Sequence, residues 1–186
     1  AVLLSVEDAL VKVQLVSGNA EFNLLTNDDL YIDELDLGTI SWPNNNQNRF
    51  QPPANMVNYY GSVDDIEAVW LPVFYQEAKW ENLQNDAIYE FGTNNFTLCP
   101  YYGRRCVQPY LLTVIKRIVE YFGYTFDTSF FDNNFLRNVY VCSAVSSNRV
   151  AAALPHWTVS EFFDELEKFL CAVTVVNERT KEVSLV

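Results

Sequence analysis

The sequence predicts an α+β fold: a strand-rich N-terminal portion followed by two helix–strand–strand units packed on a mixed or antiparallel sheet. Three observations predict it. A Val- and Leu-rich run opens the chain, two segments repeat apolar residues at helical spacing, and strand-like runs follow each of those segments. The divide falls near residue 97. Residues 1–97 read as strands and loops, and residues 98–186 hold both helical units.

Val2 to Val16 reads as one or two strands, with a turn near Glu7-Asp8. Ser17-Gly18-Asn19 is a turn signal, and Glu21 to Leu25 reads as a short strand or a helical turn. From Trp42 to about Pro53 the chain carries Pro43, Asn44, Asn45, Asn46, Asn48, Pro52 and Pro53. Such a segment can neither hold a ladder nor bury a face, so a long exposed loop is expected. Val69 to Tyr75 looks like strand, but Pro72 lacks an amide proton and restricts it to an edge or a bulge. Trp80 through Phe96 shows no clear period and reads as strand and loop.

Order returns at Pro109, which suits the first helical turn because a missing N–H costs nothing there. Leu111, Val114, Ile115, Ile118, Val119 and Phe122 form the buried stripe, while Lys116, Arg117 and Glu120 face water. Gly123 fits the left-handed position that ends a helix. Tyr124-Thr125-Phe126 begins a strand, Asp127 to Asn134 is a connection with room for one helical turn, and Leu136 to Ser143 reads as a second strand. Ser146-Ser147-Asn148 is a loop. Thr158 and Glu161 then form a capping box, and Trp157 and Phe162 occupy the staple positions of the same helix. Val159, Phe162, Phe163, Leu166, Phe169 and Leu170 supply its apolar stripe, opposite Asp164, Glu165, Glu167 and Lys168. A strand near Ala172 to Val176, a turn at Asn177 to Thr180 and a last strand with Val183 and Leu185 inward complete the chain.

Composition narrows the function. Hydrophobic residues make up 49% of 186, enough for a sizeable core. The 12 basic and 24 acidic residues give a net charge of -12, a field that repels phosphate backbones and anionic membranes. No apolar run approaches the roughly 20 residues that span a bilayer, and no signal-peptide pattern opens the chain. Beginning at Ala1 and stopping on a strand, the sequence reads as a fragment or one domain of a longer protein. The six glycines form no phosphate-binding spacing, so no nucleotide cofactor is expected. Cys99 and Cys106 flank a Pro–Gly turn where they could pair or share a metal, but the simpler reading of Cys99, Cys106, Cys142 and Cys171 is thiols in a reducing compartment.

Catalytic signals are sparse. His156 is the only histidine, and Cys106 or Ser160 is the nucleophile one would place beside it. It stands just before a helix cap without any nucleophile signature, so an exposed structural residue is the better reading. Acidic clusters at Asp28-Asp29, at Asp33-Glu34-Asp36 and at Asp64-Asp65 with Glu67 read as solvated surface. Leu35 and Leu37 spoil the calcium-loop pattern, and neither a metal nor a catalytic residue is expected. Aromatics in the loops are the least bland local signal. Trp42, Tyr59, Tyr60, Trp70 and Trp80 beside Asn side chains suit a protein interface or sugar stacking.

Several stretches together resemble a known family. Gly18-Asn19-Ala20-Glu21-Phe22-Asn23 runs into Tyr31-Ile32-Asp33-Glu34-Leu35-Asp36-Leu37-Gly38. Pro109-Tyr110-Leu111-Leu112 opens a helix that ends Phe122-Gly123-Tyr124. Leu154-Pro155-His156-Trp157-Thr158-Val159-Ser160-Glu161-Phe162 opens the last helix, and Arg179-Thr180-Lys181-Glu182-Val183 lies in the hairpin after it. This order resembles phage and prophage tail proteins related to the baseplate hub, or spike hub, of contractile tails. The resemblance implies a non-enzymatic role in the virion tail, with assembly in the host cytoplasm. It implies other tail proteins as partners and self-association into symmetric rings, commonly trimers. It carries over no catalytic residue. Thr39 to Phe96 departs from the pattern and reads as an insertion that offers a contact surface. Two other readings stand beside it. One is a carbohydrate-binding or adhesin module using Trp42, Tyr59, Tyr60, Trp70 and Trp80. The other is a hydrolase built on Asp64, Asp65 or Glu67.

Overall fold

The computed structural model describes residues 2–7, 10–14, 30–40, 67–69, 71, 73–76, 83–85, 87–90, 95–98, 106–132 and 135–186. The chain is α+β. Among the described residues two helices, α1 (Leu111–Tyr121) and α2 (Val159–Leu170), pack with short strands around a main apolar core, and Val69 and Tyr110 form a second, small buried cluster. At the N-terminus the run expected to hold one or two strands forms two, β1 (Val2–Glu7) and β2 (Leu10–Gln14), paired antiparallel with a register shift between Leu3 and Ser5. The expected turn at Ser17 to Asn19, the Asn/Pro loop and the segment from Glu21 to Leu25 lie outside the described residues.

The strand-like run from Val69 to Tyr75 is described on either side of Pro72, which itself lies outside the described residues. Its first half, β3 (Ala68–Val69), pairs with β8 (Gln108–Pro109), whereas β4 (Val73–Phe74) pairs with β5 (Leu83–Gln84). Farther on, β6 (Ala87–Glu90) pairs antiparallel with β7 (Asn95–Leu98).

Pro109 is a correction. It ends β8 instead of starting the helix, and Tyr110 stands at the N-cap with no side-chain cap. The first orphan amide of α1, that of Leu111, donates to the Val139 carbonyl at 2.8 Å, and Val141 N–H donates to the Pro109 carbonyl at 2.8 Å. These two bonds explain a second correction. Leu136 to Ser143 is not a strand but a 3₁₀ turn (Phe135–Asn138) followed by a single bridge, Tyr110 to Tyr140. Of the segment's backbone groups the Val139 carbonyl caps α1 and the Val141 amide bonds Pro109, and the Gln108 side chain reaches the Ser143 carbonyl. A ladder therefore has nowhere to extend.

The C-terminus of α1 closes as the glycine suggests. Gly123, at φ +80°, donates to the Glu120 carbonyl, and Tyr124 N–H donates to Val119, the paired bonds of a Schellman motif. The chain then passes into β9 (Thr125–Phe126), which runs parallel to β11 (Glu182–Leu185); β11 is antiparallel to β10 (Thr174–Asn177). The sheet order β10-β11-β9 is thus mixed. Val183 and Leu185 turn inward against the helices, as expected, and Val176 of β10 joins them in the core. No helix among the described residues is long and apolar enough to cross a membrane.

The capping box on α2 is complete: Thr158 N–H donates to Glu161 Oε2 at 2.8 Å, and Glu161 N–H donates to Thr158 Oγ1 at 3.1 Å. At the other end Cys171 takes the left-handed conformation, at φ 51°. An L-residue there carries roughly 1 kcal/mol of strain, which glycine lacks. Cys171→Gly is therefore expected to stabilise the fold by roughly 0.5–1 kcal/mol, read as a higher urea midpoint at unchanged slope.

Residues 30–40 are stitched to the C-terminal half at both ends. Ile32 N–H donates to Trp157 and Val159 N–H donates to Leu30, each at 2.9 Å, so the first amide of α2 is also satisfied from outside the helix. Farther along, Ile40 N–H donates to Asn148 and Val150 N–H donates to Gly38. Between these seams Ile32, Leu35, Leu37 and Ile40 are buried in the same core as both helices. Arg117 is a third correction. Only 17% of its side chain is exposed, and its guanidinium donates to the Leu37 carbonyl at 2.7 Å, the Thr39 carbonyl and the Glu67 carboxylate. Gly38 permits this approach: it sits at φ +71°, and a Cβ there would lie 3.2 Å from Arg117 Nη1.

Candidate interaction face

Five of the six apolar residues forecast to bury along α2 do so, but Phe169 is 60% exposed. The reason is the width of the stripe. Val159, Phe163, Leu166 and Leu170 form one i, i+4, i+7, i+11 line, while Phe162, Glu165, Leu166 and Phe169 form a second line beside it. The core accepts the first line. The second borders a groove of about 320 Å³ whose other walls are Leu111 at the start of α1, Val139 from the capping segment, and Trp157. Trp157 and Phe162, the staple pair, thus meet the same groove, and Trp157 is 41% exposed. Glu165 is the charged residue of the lining, and Lys168 donates to its Oε1 at 2.7 Å.

The elements that shape this groove are well braced. Val139 is placed by its bond to Leu111 N–H, Trp157 by its bond from Ile32 N–H, and α2 by its capping box. The overlap of two stripes was the signal available in the sequence. Leu111 and Val139 carried no comparable mark as groove residues, because their meeting depends on a bridge between segments about 30 residues apart.

His156 stands at the edge of this region. Its ring stacks on Tyr31 at a centroid distance of 3.9 Å and an interplanar angle of 6°, and Nδ1 lies 3.0 and 3.1 Å from the two Asp33 carboxylate oxygens. An Asp–His pair becomes a base only when its other nitrogen meets a nucleophile or a substrate. Among the described residues no hydroxyl or thiol meets Nε2. Here the pair joins residues 31–33 to the turn before α2 and reinforces the backbone seam between them.

The other sequence candidates separate. Trp42, Tyr59, Tyr60, Trp70 and Trp80 lie outside the described residues, as do Asp28, Asp29, Asp64, Asp65 and Cys99. Glu67 is engaged by Arg117, and Asp36 accepts a bond from Gly38 N–H within its own turn. Among the described residues no group of three His, Cys, Asp or Glu side chains is placed to hold a metal ion.

Cys106 is a free, fully buried thiol, and Cys142 and Cys171 are free and exposed. Asn85 encloses Cys106: its Oδ1 accepts from Cys106 N–H at 3.0 Å, and its Nδ2 donates to the Cys106 carbonyl at 2.9 Å. Gln108 continues this buried polar patch by accepting from Leu71 N–H at 2.9 Å. Burial pushes the Cys106 thiol up to about 11, against a lowering contribution from the Asn85 hydrogen bond. At pH 8 the exposed Cys142 and Cys171 are expected to react with iodoacetamide within minutes, while the buried Cys106 reacts only after unfolding. The folded state holds this proton more tightly than the unfolded one. The stability it contributes is complete below about pH 9 and lost as pH rises through 11. Mass spectrometry of the alkylated peptides checks the first statement, and urea midpoints between pH 8 and 11 check the second.

Comparison of the chain with family models, with curated proteins and with solved structures gives no match.

Proposed function

We propose that the chain is a structural component of a phage or prophage tail, similar to a baseplate or spike hub, and that it works by protein–protein assembly, not by turnover. The observation that carries this reading is the apolar groove along α2, with Phe169 and Trp157 partly open to solvent on a firmly capped helix. Exposed aromatics in a concave apolar site are what an assembly contact buries, and such anchors dominate interface energy. The stretches behind the family resemblance agree with a bracing role. Leu154 to Phe162 carries the capping box and the seam to residues 30–32, and Phe122-Gly123-Tyr124 carries the Schellman motif.

Quantitative mass spectrometry of purified tail particles from a lysogen that encodes the chain tests the proposal. Peptides from it are expected at a fixed copy number per particle, with other tail proteins as neighbours in cross-linking. A chain absent from particles, and recovered only as a free monomer, overturns the reading.

A further inference from the structure

We draw no further inference here: the strongest candidate, the apolar groove along α2 between Val139, Trp157 and Phe169, carries nothing beyond the assembly contact already proposed, because nothing in the structure shows what covers it.

Discussion

Phe131→Ala is expected to lower the unfolding free energy by roughly 3–5 kcal/mol, the cost of emptying a sealed aromatic site. Phe131 is fully buried although it comes from a 3₁₀ turn (Ser129–Phe131) and not from a helix or strand. Asp127 fixes that turn, accepting from Ser129 N–H and from Ser129 Oγ at 2.9 Å each. The ring then packs edge-on to Phe130 at 5.4 Å and tilted to Phe126 at 6.2 Å. Truncation leaves a cavity bounded by β9 and the core, and the short turn offers little backbone to collapse into it. Urea denaturation followed by far-UV circular dichroism measures the loss. A change under about 1 kcal/mol would show that the site relaxes and that the turn is not an anchor.

Arg117→Leu is expected to cost roughly 2–4 kcal/mol, mainly through the carbonyls it leaves behind. Leu keeps an apolar stem at this position, so the packing of α1 changes little. The part-buried Leu37 carbonyl loses its donor, and residues 37–39 lose the clamp that joins them to α1. The ion pair with Glu67 contributes the smaller share, because the Glu67 side chain is 48% exposed and such pairs are worth about 0–1 kcal/mol. Glu67→Gln should therefore cost less than about 1 kcal/mol. If it matches Arg117→Leu instead, the carboxylate and not the carbonyls carries the clamp.

Local signals were legible wherever a few adjacent residues decide the outcome. Thr158 and Glu161 fixed the start of α2, Gly123 fixed the end of α1, and the alternation of Val183 and Leu185 fixed the inward face of β11. Contacts between distant segments were not legible. Arg117 looks like any solvated residue opposite an apolar stripe until residues 37–39, about 80 positions earlier, fold against it. Leu136 to Ser143 has strand composition, but its available neighbour is a two-residue strand ending in proline, so one bridge is all that forms. Phe169 illustrates the limit for the candidate site. Its spacing marks it as apolar-face, and only the geometry of α2 against the core shows that the stripe is wider than the core can cover. Trp42, Tyr59, Tyr60, Trp70 and Trp80 fall outside the described residues, and the face formed by Trp157, Phe162 and Phe169 is a site open to test.

Hydroxyl-radical footprinting of Trp157 and Phe169, in the free protein and in intact tail particles, tests most directly whether this face exists to be covered by a neighbour. Both side chains are expected to oxidise readily in the free chain and to be protected severalfold in the particle, with the protection of Trp157 and Phe169 rising together. Equal oxidation of both residues in the two states would contradict the account.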